Sequence, residues 1–134
     1  MGEPVEFERT NVRVSTASLT LAEVRDLLEA EVCWAPDLTA HVSAVGAADL
    51  MSDVLAFGRP GMLLLTGLAT PQAINTAVVA DLAGVVFVRG KTPTEAMVVM
   101  GKQVGLPLLS TPYTMFEASG RLYAVLFGSD RTDE

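Results

Sequence analysis

The chain has 134 residues, half of them hydrophobic, and a formal net charge of -7 at pH 7. This length predicts a single domain spanning 1–134, and the acidity excludes a nucleic-acid surface, which needs clustered Lys and Arg. Because the mean hydropathy is +0.40 and a small domain cannot hide that much apolar surface in one copy, we predict a homo-oligomer, most simply a two-fold homodimer.

The N-terminal segment "MGEPVEFERTNVRV" is acidic and lacks the basic-then-apolar order of a secretory signal. Apolar runs such as "MLLLTGLA" and "AGVVFV" fall short of the roughly 18 residues that span a bilayer. A single cysteine, Cys33, cannot form an internal disulfide. We therefore expect a cytoplasmic protein without membrane association, with a flexible N-terminal segment and a frayed acidic C-terminal tail, "GSDRTDE".

The first half of the chain alternates helical and extended patterns. Residues from about 19 to 31 predict an amphipathic helix, which Thr20 and Glu23 open as a capping box. Its apolar positions are Leu21, Val24, Leu27 and Leu28. "EVCW" and "TAHVSAV" are strand candidates on either side of an "APD" turn. "AADLMSDVLAF" then predicts a helix that ends at a Gly-Arg-Pro-Gly breaker, residues 58–61.

The second half repeats one unit three times: a short apolar run, a turn, the dipeptide Thr-Pro and a helical pattern. The Thr-Pro pairs stand at 70–71, 92–93 and 111–112. Thr caps the free amides of a first helical turn, and Pro at the next position needs no donor. Each pair is therefore predicted to start a helix, and Thr92 with Glu95 is predicted to form a full capping box.

Continuous apolar strands that alternate with helices predict an α/β fold. We expect a three-layer, Rossmann-like domain in which a mainly parallel sheet is built from repeated βα units. The predicted strands lie near 41–45, 62–66, 85–89 and 107–110.

Ligands of such sheets gather outside the carboxyl ends of the strands, where helix N-termini present free amides. The residues at those ends offer hydroxyls, glycines and two cations, a combination that suits a phosphate or a carboxylate. Short turns after strands require Gly and Thr for steric reasons as well, so turn geometry alone also accounts for part of the set. The predicted ligand-binding residues are Thr66, Gly67, Arg89, Gly90, Lys91, Ser110 and Thr111.

Other chemistry-bearing patterns are weaker. "GKT" at 90–92 matches the end of a Walker A motif, but the motif's first glycine would fall at Val85, within a predicted buried strand. His41 is the only histidine and Cys33 has no basic neighbour in sequence, so both are predicted to be structural. Asp49 and Asp53 are predicted to lie on a solvated helix face. We therefore predict no catalytic residue, no metal site and no cofactor.

One family resemblance covers roughly residues 19 to 126 and places the core of the domain there. The segments "ADLMSDVLAF", "RPGMLLLTG", "VVFVRGK" and "GLPLLSTPYTMFEASG" resemble those of the DRTGG domain. This resemblance implies a small α/β module similar to the N-terminal domain of HPr kinase/phosphorylase. DRTGG domains occur alone or attached to phosphotransacetylases, cobyrinic acid synthase-like proteins and CBS-domain pyrophosphatases, as dimerising or regulatory modules. The resemblance thus implies a homodimeric regulatory or ligand-sensing domain and supplies no reaction.

The chain departs from the family pattern at two turns. Thr66-Gly67-Leu68 stands where many members have Gly-Asp-Arg, and Arg89-Gly90-Lys91 stands where they have Thr-Gly-Gly. Arg89 and Lys91 would restore the positive charge that the first turn lacks. Our leading hypothesis is a non-catalytic module that regulates a protein partner and senses a small anionic metabolite or nucleotide. The alternatives are a small enzyme acting on a phosphorylated or carboxylated metabolite and a purely structural partner subunit.

Overall fold

The computed structural model describes residues 12–128, which form one six-stranded sheet with helices on both faces. The strands are Val14–Thr20 (β1), Glu31–Trp34 (β2), His41–Ala47 (β3), Leu63–Thr66 (β4), Gly84–Phe87 (β5) and Leu108–Ser110 (β6). The helices are Leu21–Leu28 (α1), Met51–Phe57 (α2), Pro71–Val79 (α3), Glu95–Val104 (α4) and Met115–Phe127 (α5).

The strand order is β1-β3-β4-β5-β6-β2. The four central strands are parallel, and β1 and β2 pair antiparallel at the two edges. The four strands predicted from apolar runs are the four parallel ones, so the mainly parallel α/β sheet is confirmed. Their carboxyl ends meet at one edge, because each of β4, β5 and β6 follows the preceding strand through a helical crossover.

Side chains of the central strands alternate between two hydrophobic cores. Leu63 and Leu65 face the core beneath α1 and α5, whereas Met62 and Leu64 face the core beneath α2, α3 and α4. Met62 and the three leucines that follow it are fully buried. A strand covered on both faces has no polar side to present, which explains its unbroken apolar sequence and confirms the three-layer arrangement.

The antiparallel strand β1 is absent from the sequence prediction, which places the first helix from about residue 19. The capping box at Thr20 is confirmed: Glu23 N–H donates to the Thr20 hydroxyl, and the Glu23 carboxylate accepts from the Thr20 amide. The seven residues before α1 have only two buried side chains, Ser15 and Leu19. Such a mostly exposed edge strand carries no periodic apolar signal.

The predicted Thr-Pro helix starts are correct in only one of the three units. Thr70 is the residue before α3, with Pro71 at its first position, although the Thr70 side chain makes no capping bond. In the other two units the cap falls two or three residues later, where Thr94 accepts from the Met97 amide and Thr114 from the Glu117 amide. The capping box predicted for Thr92 is therefore wrong, because the chain needs those extra residues to leave the sheet edge.

Across residues 12–128, no helix combines the length and the apolar character that crossing a bilayer requires. The predictions made for the N-terminal segment up to residue 11 and for the acidic tail from 129 onwards fall outside the described residues.

Candidate functional site

The seven residues predicted to bind a ligand lie along the carboxyl edge of the parallel sheet. Thr66 pairs with Phe87 of β5, and Phe87 pairs with Ser110 of β6, so the ends of these three strands form one row. The turns that follow carry the remaining members: Gly67 after β4, Arg89, Gly90 and Lys91 after β5, and Thr111 after β6. We call this edge the strand-end row.

The hydroxyls of the strand-end row are engaged in bonds that hold the fold. The Thr111 hydroxyl is buried and donates to the Leu28 carbonyl at the end of α1, at 2.6 Å. The Ser110 hydroxyl donates to the Lys91 carbonyl, also at 2.6 Å. These two bonds tie the end of β6 to α1 and to the turn after β5, so the two hydroxyls position the turn rather than face solvent.

The turn after β5 has an unusual backbone. Arg89 has a φ of 60° and Gly90 a φ of 71°, and the Lys91 amide donates back to the Val88 carbonyl at 3.2 Å. Two central residues with positive φ are typical of a type I′ turn, which favours Asn-Gly over a long side chain such as Arg. A residue other than Gly, Asn or Asp costs on the order of 1 kcal/mol in this region. The geometry of the turn therefore does not explain why residue 89 is an arginine.

Neighbouring backbone holds this strained turn in place. The Arg89 amide donates to the Tyr113 carbonyl at 2.7 Å, and the Gly90 amide donates to the Thr111 carbonyl at 2.9 Å. Both acceptors belong to the segment between β6 and α5. Two backbone bonds to the next unit of the fold thus hold the conformation of this turn.

The Arg89 guanidinium lies directly over the backbone of Gly67. A Cβ atom built on Gly67 would be 2.6 Å from the terminal Nη2 of Arg89 and 3.3 Å from the Asp49 Oδ1. The Gly67 amide donates to that same Asp49 oxygen at 2.6 Å. Glycine at position 67 leaves room for both charged groups, whereas any larger residue would collide with the Arg89 guanidinium.

Asp49 is the site residue that the sequence prediction misplaced. It precedes α2 and accepts from the turn after β4, so it does not share a solvated helix face with Asp53. The free amides at the carboxyl end of a strand attract anions, and here a carboxylate of the same chain satisfies one of them. The sequence does show an acidic residue between a strand and a helix. Its hydrogen bond to the Gly67 amide, 18 residues away, could not be predicted from residue spacing.

The turn after β5 carries two exposed cations, of which Arg89 lies near the Asp49 carboxylate. Arg89 and Lys91 are both exposed, and among residues 12–128 neither side chain makes a hydrogen bond or an ion pair. The turn after β4 also carries the Thr70 hydroxyl, which is buried and has no hydrogen-bond partner within the described part of the chain. The strand-end row thus offers two open cations and one acidic group to a ligand.

The remaining candidates from the sequence lie away from this row or are inert. Burial, with a smaller contribution from the Glu31 charge, raises the pKa of the half-buried Cys33 thiol, so this thiol is a poor nucleophile at neutral pH. His41 is exposed, with its Nδ1 atom 3.0 Å from the Ser18 hydroxyl. No group of three His, Cys, Asp or Glu side chains suited to a metal occurs within residues 12–128.

Comparison with known proteins reveals a likeness in fold. No protein-family profile matches the sequence, and no curated protein matches it significantly. The structure is similar to the crystal structure of the CBS and DRTGG domains of the regulatory region of a Clostridium perfringens pyrophosphatase, in complex with its activator diadenosine tetraphosphate. The TM-score is 0.70 with 18% sequence identity, over 80% of this chain and 47% of that one.

This chain spans about half the length of the crystallised regulatory region that it resembles. The likeness confirms the DRTGG-like fold that the sequence segments indicate. At this level of identity it carries no further information about individual site residues, which rest on the geometry described above.

Proposed function

We propose that this protein is a non-catalytic regulatory module that binds a nucleotide at the strand-end row and regulates a protein partner according to whether the nucleotide is bound. Arg89 and Lys91 bind the phosphate groups at the turn after β5, whose amides are already bonded within the fold. The central observation is the Arg89 turn: a strained backbone holds a guanidinium without a partner in residues 12–128 over the sheet edge.

Strain of this kind supports a functional role. Asparagine or glycine at position 89 would form the same turn at lower cost, so the presence of arginine calls for another benefit. Residues held in sparsely populated backbone regions cluster at ligand-binding sites, where the surrounding structure fixes them. A guanidinium is the side chain best suited to phosphate, because its planar donors can bind two oxygens at once.

The choice of a nucleotide rests on the structural neighbour and on the acidic group. The neighbour is a regulatory region that binds diadenosine tetraphosphate, an activator with several phosphates. In this chain Asp49 lies beside Arg89, where it repels a bare phosphate but can accept hydrogen bonds from hydroxyl groups of a sugar. A ligand with both phosphates and a sugar matches this arrangement better than a simple anion does.

A thermal-shift panel tests this function. Diadenosine tetraphosphate, ATP, AMP, adenosine and inorganic phosphate are each added to the purified chain. Ligand in hundredfold excess over its Kd stabilises the folded state by about 2.7 kcal/mol, so we expect the phosphorylated nucleotides to raise the melting temperature by several degrees. Adenosine alone should leave it unchanged. A panel in which no nucleotide shifts the transition at millimolar concentration would contradict the proposal.

Replacing Asp49 with Asn should strengthen nucleotide binding. The substitution keeps an acceptor for the Gly67 amide and removes a negative charge next to the phosphate site. A like charge at such a partly solvated site costs on the order of 1 kcal/mol, so the Kd measured by calorimetry should fall roughly three- to tenfold. Asp53→Asn is the matched control, since Asp53 is also exposed but lies within α2. Equal affinities for both variants would place the phosphates elsewhere.

A further inference from the structure

Helix α5 exposes an apolar surface that the strand-end site does not use. Phe116 is 87% exposed, the highest value among the large hydrophobic side chains of residues 12–128, and Tyr123 is 52% exposed. A cavity of about 450 Å³ lies beside them and is lined along one side of the helix by Phe116, Ser119, Gly120, Tyr123, Ala124 and Gly128. We call this surface the α5 outer face.

Gly120 has no role within the described fold that explains its presence. It lies in the middle of a 13-residue helix, where glycine costs roughly 1 kcal/mol relative to alanine. A Cβ atom built at Gly120 would meet no other atom within 4 Å. By contrast, a Cβ at Gly101 of α4 would lie 3.0 Å from the Leu106 carbonyl oxygen. Residues 12–128 leave the space above Gly120 open, so close approach of a second copy would explain the glycine.

We propose that the α5 outer face binds the same face of a second copy of this chain, with the two α5 helices antiparallel and the two-fold axis near Gly120. The residues are self-complementary about this axis. Phe116 lies four positions before Gly120 and Ala124 four positions after it, so all three share one side of the helix. Reversal about Gly120 sets each Phe116 against the small Ala124 of the other copy and brings the two glycines together.

The charges bordering this row fit the same arrangement. Glu117 and Arg121 form an ion pair at 2.9 Å along one border of the α5 outer face. When two identical helices pair antiparallel, the same border of each helix meets in reverse order. The Arg121 of one copy then approaches the Glu117 of the other. The order of these two charges therefore matches a two-fold antiparallel pair.

A second copy is also the occupant that the composition favours. Half of the residues are hydrophobic, and a chain of this size cannot bury them all by itself. Exposed aliphatic residues occur on the opposite helical layer too, for example Val79 at 75% and Leu50 at 60%. Those residues are spread over different helices, whereas α5 combines aromatic side chains, a cavity and a glycine on one helix. Aromatic residues next to a pocket dominate the energetics of most interfaces.

Light scattering at micromolar concentration tests this interface in three variants. The unmodified chain should have a mass near twice the 14.2 kDa of one copy. Phe116→Glu and Gly120→Gln should both weaken self-association at least tenfold and give the mass of one copy. Gly120→Gln adds a side chain into open space and a better helix former, so the monomer should keep its circular dichroism spectrum. Val79→Glu is the matched control on α3 and should remain dimeric.

Three results would overturn the inference. The first is an unmodified chain with the mass of one copy. The second is a Gly120→Gln variant that is folded and as dimeric as the unmodified chain. The third is a dimer that Val79→Glu dissociates and Phe116→Glu does not. The last result would assign the interface to the opposite helical layer. None of these measurements depends on whether a nucleotide binds.

Discussion

Replacing Arg89 with Asn is expected to stabilise the protein and, at the same time, to weaken nucleotide binding at least tenfold. Asparagine adopts positive φ more readily than arginine, so relief of the turn should raise the free energy of unfolding by up to about 1 kcal/mol. The same substitution removes the guanidinium that lies over Gly67. Loss of one charge-assisted contact to a phosphate costs roughly 1.5–3 kcal/mol, which corresponds to a tenfold or larger rise in Kd.

Chemical denaturation and calorimetry together measure both effects. Lys102→Ala is the matched control, because Lys102 is an exposed cation at the end of α4 and away from the strand-end row. It should leave affinity and stability nearly unchanged. If Arg89→Asn destabilises the fold, the arginine serves the structure rather than a ligand. If it stabilises the fold and leaves affinity intact, the phosphates bind at another place.

Replacing Thr111 with Val should lower the free energy of unfolding by about 1–3 kcal/mol, the cost of leaving a buried carbonyl without its donor. Valine has nearly the same shape but cannot donate to the Leu28 carbonyl, which the Thr111 hydroxyl reaches at 2.6 Å. Because this bond joins the end of α1 to the end of β6, its removal should destabilise both elements. The urea midpoint should fall, with an unchanged slope of the transition.

Thr92→Val provides the comparison for this substitution. Thr92 stands in the same Thr-Pro context but is exposed, so its replacement should change stability by less than about 0.5 kcal/mol. Nucleotide affinity of the Thr111 variant, measured well below its melting temperature, should fall by less than threefold. A stable Thr111→Val variant that no longer binds nucleotide would mean that this hydroxyl contacts the ligand directly.

The parallel strands were predictable because their signal is local. A run such as "MLLLT" is apolar at consecutive positions, a pattern typical of a strand buried on both faces of a sheet. The capping box at Thr20 was predictable for the same reason, since its two partners are three residues apart. The order of the repeated units along the chain then fixed the edge at which Gly67, Arg89 and Ser110 come together.

Features that depend on distant partners could not be predicted. Strand β1 is stabilised by pairing with β3, and its own residues alternate weakly. The helix starts at Thr94 and Thr114 shift from the Thr-Pro pairs because the path over the sheet edge sets the length of each turn. In the candidate site, the bond between Asp49 and Gly67 and the positive φ of Arg89 arise only once the strands are side by side.

The most direct test of the proposed nucleotide site is an NMR titration of the isotope-labelled chain with diadenosine tetraphosphate, followed through backbone amides. We predict that the largest shifts occur at Gly67, Gly90 and Lys91, along the strand-end row, and that they saturate together with one Kd. Arg89→Asn should abolish them at the same ligand concentration. Shifts that instead cluster along α5, or a spectrum that does not change, would contradict the assignment of the strand-end row as a nucleotide site.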